Sequence, residues 1–116
     1  MNPYFFLNQV IGDYWDCNLD EQAMNSPEFM IKVATEAIEF VNTTVVKFID
    51  HKFVPYGYTL LMVLADSSLI LHSWPEEKYI CVEIFTCTKD SDPNKGLKYL
   101  EGKFKPKIFK IHKISR

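Results

Sequence analysis

Residues Tyr58–Cys87 read YTLLMVLADSSLILHSWPEEKYICVEIFTC. The first run, Tyr58–Ala65, is apolar at nearly every position, which predicts a central strand buried on both faces. A second run, Leu69–Trp74, follows after only Asp66-Ser67-Ser68. Pro75-Glu76-Glu77-Lys78 then turns the chain into a third, Tyr79–Cys87. Steps this short join antiparallel neighbours, because a parallel pair needs a crossover of about a dozen residues or more. On the third strand, alternation puts Ile80, Val82, Ile84 and Thr86 on one face. Tyr79, Cys81, Glu83, Phe85 and Cys87 share the other. The first set suits a core under helices. The second mixes an acid, two thiols and aromatics, which suits a partner or a reactive site better than a core.

Outward from this stretch the signals alternate. Thr43–Val54 is strand-like, and Pro55-Tyr56-Gly57 marks a turn before Tyr58. Ser26-Pro27-Glu28 is a helix start: a capping hydroxyl, proline at the first position and an acid in the first turn. Met30, Val33, Ala34, Ala37, Ile38 and Val41 then form one apolar stripe. Asp16–Asn25 reads as a polar connection, and Asn2–Trp15 as a first strand. Asp92-Pro93 opens a shorter helix carrying Leu97, Tyr99 and Leu100, with Gly102 and Pro106 to end it. Lys107–Ile114 alternates lysine with apolar residues, as an exposed edge strand does. The order β-α-β-β-β-β-α-β predicts an α+β two-layer sandwich, an antiparallel sheet with two helices on one face.

No repeat or linker divides the 116 residues, so residues 1–116 are expected to form one domain. A hydrophobic content of 47% argues against disorder. A net charge of -2 gives no reason to expect a nucleic-acid or membrane partner. The basic residues crowd the end, from Lys95 to Arg116. They read as a solvated face, with a polyanion-binding strip as the alternative. No apolar run has bilayer-spanning length, and Met1-Asn2-Pro3 lacks the basic start of a signal peptide. Cys17, Cys81 and Cys87 form no CxxC pair, and His51, His72 and His112 complete no metal spacing. A reduced, cytoplasmic protein without a structural metal is expected.

His72-x-Trp74-Pro75-Glu76 followed by Phe85-Thr86-Cys87 resembles a pattern of the small bacterial and archaeal S-adenosylmethionine decarboxylases. Phe53-Val54-Pro55-Tyr56-Gly57 is similar to the family's F-x-P-x-G, and Asp92-Pro93 begins a helix like the family's. Asp66-Ser67 stands where the family has its Glu-Ser cleavage step, with the same spacing to the histidine. The resemblance covers most of the chain and is dense from Phe53 to Cys87.

The resemblance implies a self-processing enzyme. Ser67 would attack the carbonyl of Asp66 and turn the amide into an ester. Elimination would then leave a β chain of residues 1–66 and an α chain starting at 67 with a covalent pyruvoyl group. His72 matches the family's processing histidine, and an imidazole can take a proton near neutral pH. Thr59 falls where a serine assists processing, and Cys87 matches the cysteine that protonates the substrate α-carbon. The substrate amine would form a Schiff base with the pyruvoyl carbonyl, which serves as electron sink in place of an external cofactor.

The implied substrate is S-adenosylmethionine, decarboxylated for spermidine biosynthesis. Its sulfonium would suit aromatic and acidic surroundings. Phe5, Trp15 and Glu83 are the substrate-binding candidates, with Tyr4 and Phe6 beside Phe5. The resemblance also implies a homodimer of processed protomers, with active sites near the subunit interface.

The chain departs from the pattern in places. Ser68 replaces a histidine, Asn8-Gln9 a Gly-Arg-His run, and Tyr58 and Leu60 stand in a segment of small residues, bringing bulk beside the processing site. Two alternatives stay open. One keeps the chemistry with ornithine or arginine as substrate. The other is an unprocessed paralogue acting as a binding or regulatory subunit.

Overall fold

The structure is a computed structural model that describes residues 7–115. Phe5, Tyr4 and Phe6, and with them the first part of the expected Asn2–Trp15 strand, lie outside the described residues. The elements are β1 (Asn8–Trp15), α1 (Glu21–Met24), α2 (Pro27–Val41), β2 (Val45–Lys52) and β3 (Tyr58–Leu64). After them come β4 (Ser67–Trp74), a 3-10 turn (Pro75–Glu77), β5 (Tyr79–Thr86), α3 (Pro93–Phe104) and β6 (Ile108–Ser115). Six strands form one sheet in the order β2-β3-β4-β5-β1-β6, and every neighbouring pair is antiparallel. No helix among the described residues is long and apolar enough to cross a membrane.

The helices cover one face for reasons written in their ends and stripes. Ser26 Oγ accepts from the Phe29 N–H at 3.2 Å, and Asn42 stops α2 in the left-handed region at φ 71. Between them Met30, Val33, Ala34, Ala37, Ile38 and Val41 are all buried, the stripe expected from the spacing. They meet Leu60, Met62, Leu69, Leu71, Ile80, Val82 and Ile84 from the sheet in one core. Gly96 lets α3 close on α2: a Cβ there would stand 2.5 Å from Val41 Cγ2 and 3.3 Å from the Ala37 carbonyl oxygen.

Four expectations need correction. Helix α3 does not end at Gly102 but runs to Phe104, with Lys105 left-handed at φ 50. Phe104 is fully buried, its ring edge-on to Tyr14 at 5.1 Å, and that burial outweighs the roughly 1 kcal/mol a helical glycine costs. The polar connection of residues 16–25 contains the single turn α1, capped by Asp20, whose carboxylate accepts from the Ala23 N–H at 2.7 Å. Strand β3 lies one place from the sheet edge, and only Tyr58, Leu60, Met62 and Leu64 are buried. Leu61 and Val63 on its other face are exposed. Tyr58 and Leu60 therefore bring no bulk to the face that carries Thr59. They point into the helix-side core, where the Tyr58 hydroxyl donates to Asp50 Oδ2 at 2.7 Å.

Among the described residues, no element covers the second face of the sheet. Cross-strand register aligns its side chains in rows. One row runs Ile49, Leu61, Ile70, Glu83, Ile11 and His112. The next runs His51, Thr59, His72, Cys81, Asp13 and Lys110. Exposed Ile49, Leu61, Val63, Trp74, Ile108 and Ile114 make much of this face apolar.

Candidate active site

The Asp66–Ser67 step closes the β3–β4 hairpin. Leu64 pairs with Ser67, so Ala65 and Asp66 are the whole loop. Asp66 has φ 86. A positive φ at the second loop residue is what a type II turn requires, and glycine or asparagine normally supplies it. Aspartate tolerates the left-handed region better than most residues, yet the conformation is strained. The peptide bond to Ser67 leaves directly from that residue.

Two side chains converge on the bond. Cys87, one residue past β5, donates its thiol hydrogen to the Asp66 carbonyl oxygen at 2.6 Å. Ser67 Oγ donates to Asp66 Oδ1 at 3.3 Å. Desolvation and then the Asp66 carboxylate push the Cys87 thiol above its ordinary range, with the Ser67 hydroxyl pulling the other way. A thiol shifted that way favours the S–H form, a donor, over the nucleophilic thiolate.

His72 stands at the other end of β4. Its Nδ1 lies 3.0 Å from the Oγ1 of Thr59, its partner across the ladder. In the tautomer whose Nδ1–H donates to Thr59, Nε2 would carry the lone pair that accepts a proton. Five residues of extended chain separate Ser67 from His72, about 17 Å. The structure brings Asp66, Ser67 and Cys87 together, and Thr59 and His72 together, but no single chain joins the two groups.

Thr59 and His72 line a cleft of about 550 Å³ with Phe53, Tyr56, Trp74 and Glu76. Glu76 belongs to the His-x-Trp-Pro-Glu pattern, but the sequence alone assigns it no role. Its signal was the Pro75 that follows Trp74, which ends β4 and swings the carboxylate to the cleft. Of the substrate-binding candidates, Trp15 stacks on Tyr79 at 5.7 Å, and Tyr79 stacks on Trp74 at 5.2 Å. An aromatic row thus runs from β1 to the cleft, with Trp15 at its far end. Tyr79 also donates to Asp13 Oδ1 at 2.5 Å, and His112 Nε2 lies 3.0 Å from Asp13 Oδ2. Glu83 sits midway along β5 and accepts from the Gln9 side-chain amide. Phe5 falls outside the described residues.

The profile of the family described as S-adenosylmethionine decarboxylase matches residues 8–116. A protein named S-adenosylmethionine decarboxylase proenzyme from Clostridium botulinum (strain Loch Maree / Type A3) is 34% identical, over 92% of this chain and 90% of its own length. One of the same name from Thermosipho melanesiensis is 34% identical over 90% of this chain and 75% of its own. Among solved structures, the adenosylmethionine decarboxylase of Aquifex aeolicus superposes with a TM-score of 0.85 at 21% identity, covering 97% of this chain and 91% of that one. The Trypanosoma brucei AdoMetDC-delta26 monomer superposes with a TM-score of 0.65 at 15% identity, and this chain spans 52% of it.

Proposed function

Because the chain belongs to the S-adenosylmethionine decarboxylase family, we propose that it is made as a precursor that splits itself between Asp66 and Ser67. It then decarboxylates S-adenosylmethionine with a pyruvoyl group derived from Ser67, in the cytoplasm, supplying spermidine synthesis. The observation that carries the reading is the 66/67 bond itself: a left-handed Asp66 whose carbonyl oxygen already accepts the Cys87 thiol at 2.6 Å.

Attack of Ser67 Oγ on the Asp66 carbonyl carbon puts negative charge on that oxygen. A hydrogen-bond donor already aimed there stabilises the transition state without reorganising. Cleavage of the C–N bond leaves an ester. An imidazole base removes the α-proton of residue 67, the main-chain carboxylate of residue 66 departs as the new C-terminus, and the dehydroalanine hydrolyses to pyruvoyl with loss of ammonia. A pyruvoyl carbonyl at position 67 would supply the electron sink for loss of CO2. Cys87, adjacent to that position, would return a proton to the substrate carbon. Residues 1–66 and 67–116 stay joined after cleavage, since β1 lies between β5 and β6, and β3 pairs with β4.

The base must come from a second copy, because His72 of the same chain lies about 17 Å along β4. The open face supports a two-fold dimer. A two-fold axis crossing the strands at the Ile70 row, lying between the two sheets, would reverse strand direction. It would set the Ser67 end of each sheet over the Thr59–His72 end of the other, with isoleucine and leucine filling the centre. The cleft beside His72, walled by Trp74, Tyr56 and Phe53 and carrying Glu76, suits an adenine ring and a sulfonium cation.

Intact mass of the purified chain tests the reading. Wild type should resolve into two fragments ending and beginning at the 66/67 junction. Ser67→Ala should stay whole, and Ser68→Ala should still split. CO2 release should be faster from S-adenosylmethionine than from ornithine or arginine. A folded wild-type chain that keeps its full mass on ageing contradicts the proposal.

A further inference from the structure

The side chain of Asp66 stands against the attacking group: Oδ1 is the acceptor for Ser67 Oγ at 3.3 Å. Resting on the self-processing reading above, we propose that the Asp66 carboxylate is the general base and then the general acid of the first step. It takes the Ser67 hydroxyl proton and hands it to the departing amide nitrogen.

No other described side chain is placed for this work within one chain. Cys87 is occupied on the carbonyl oxygen, and its raised thiol makes it a poor acceptor. His72 and Thr59 are bonded to each other at the far end of β4. The left-handed turn explains how one residue can offer both electrophile and base. With φ at 86, the Asp66 side chain and its carbonyl both lie within reach of the residue that follows.

The step balances within four groups. The Ser67 O–H bond breaks and its proton moves to Asp66 Oδ1. The Oγ–C bond forms, and the carbonyl π pair moves to the oxygen held by Cys87. When that pair returns, the C–N bond breaks, and the nitrogen of residue 67 takes the proton from the Asp66 carboxylic acid. The product is an ester with a free amine, and Asp66 is again a carboxylate. No outside acid, base or oxidant is used. The elimination that follows needs a different base, so the two halves of processing divide between Asp66 of one copy and His72 of the other.

The test separates the two steps. His72→Ala should stop elimination and accumulate the ester, which hydroxylamine cleaves at residue 66. Asp66→Asn keeps the left-handed preference and an acceptor oxygen but loses basicity. Added to His72→Ala, it should slow the appearance of the hydroxylamine-sensitive form about a hundredfold, the ordinary contribution of a positioned base. Asp66→Glu should restore splitting to within a few-fold of wild type. Asp66→Gly, which relaxes the turn, should be slow alone and gain rate with added formate. An ester that forms at the wild-type rate with Asn at 66, while wild type splits, overturns the role and leaves self-processing standing. A formate-insensitive Asp66→Gly chain that splits as fast as wild type overturns it too. A wild-type chain that never splits removes the processing reading and this role together.

Discussion

At one end of β4 the ladder gives way to a two-residue loop, a left-handed aspartate, a hydroxyl and a thiol. At the other, His72 sits in an unbroken six-strand row with its Nδ1 fixed by Thr59. The contrast matches two different tasks. A bond that has to break gains from a backbone that is already strained and an oxyanion donor already in place. A base that has to reach one proton gains from a rigid ladder that sets its direction. Each end lacks what the other holds, so under the proposed processing one copy would be half of a site.

Complementation would break or confirm that statement most forcefully. Ser67→Ala and His72→Ala should each cut decarboxylation by a hundredfold or more as pure proteins. Co-expressed, they should regain about a quarter of the wild-type sites, since half of random dimers are mixed and each mixed dimer carries one whole site. Titration of the carbonyl with a hydrazine reagent counts those sites directly. If the mixture is as inactive as its parents, the ends of β4 do not meet between copies.

The open face gives the second test. Ile70→Asp places a charge at the centre of the row proposed to lie on the two-fold axis, where an unpaired charge would be desolvated. The helix-side core is untouched, so the circular dichroism spectrum should be retained. Sedimentation should report a monomer, and intact mass an uncleaved chain. A variant that remains dimeric would put the interface elsewhere.

Much of this was legible in the sequence because hairpin steps are short and strand alternation is strict. The spacing between Tyr58 and Cys87 fixed the antiparallel order, and the alternation on β5 separated Ile80, Val82 and Ile84 from Cys81, Glu83 and Phe85. The stripe on α2 and both proline-marked helix starts were equally direct. Less legible was anything set by tertiary burial: α3 running past Gly102 so that Phe104 could reach Tyr14, or Tyr58 turning its bulk to the core. The site divides the same way. The motif pointed to Ser67, His72 and Cys87 together, but linear spacing in a strand is distance, and five residues keep Ser67 from His72. Glu76 became visible only as a wall of the cleft.

The helix layer should be separable from both ends of β4. Gly96→Ala pushes a methyl into Val41 and the Ala37 carbonyl, an overpacking of about 1–3 kcal/mol, partly offset by about 1 kcal/mol of helix propensity. Thermal unfolding should shift down by several degrees. The splitting rate of the folded protein should stay within twofold of wild type, since Gly96 contacts neither the hairpin loop nor the Thr59–His72 pair. A large fall in splitting at a small fall in Tm would mean that the strain at Asp66 is held from the helix side.

The smallest effect sharpens the Ser67 end alone. Desolvation and the Asp66 carboxylate both raise the Cys87 thiol, so less of it is thiolate at any given pH than for a free cysteine near 8.5. The sign follows from which form each process needs. The thiolate is the nucleophile that attacks iodoacetamide, so alkylation of Cys87 should be slower than that of a free thiol at pH 7.5 and should rise at higher pH. Proton return to the substrate needs the S–H form, so that step should persist across neutral pH and fail as pH climbs through the raised value. Peptide mapping keeps Cys87 apart from Cys17, whose burial pushes it to about 11, and from Cys81, also raised chiefly by burial. In unsplit Ser67→Ala chains the hydroxyl that lowers the thiol is gone, and alkylation should slow further. Faster alkylation there would show that Cys87 acts at this junction as a thiolate, and the oxyanion role assigned to it would have to be given up.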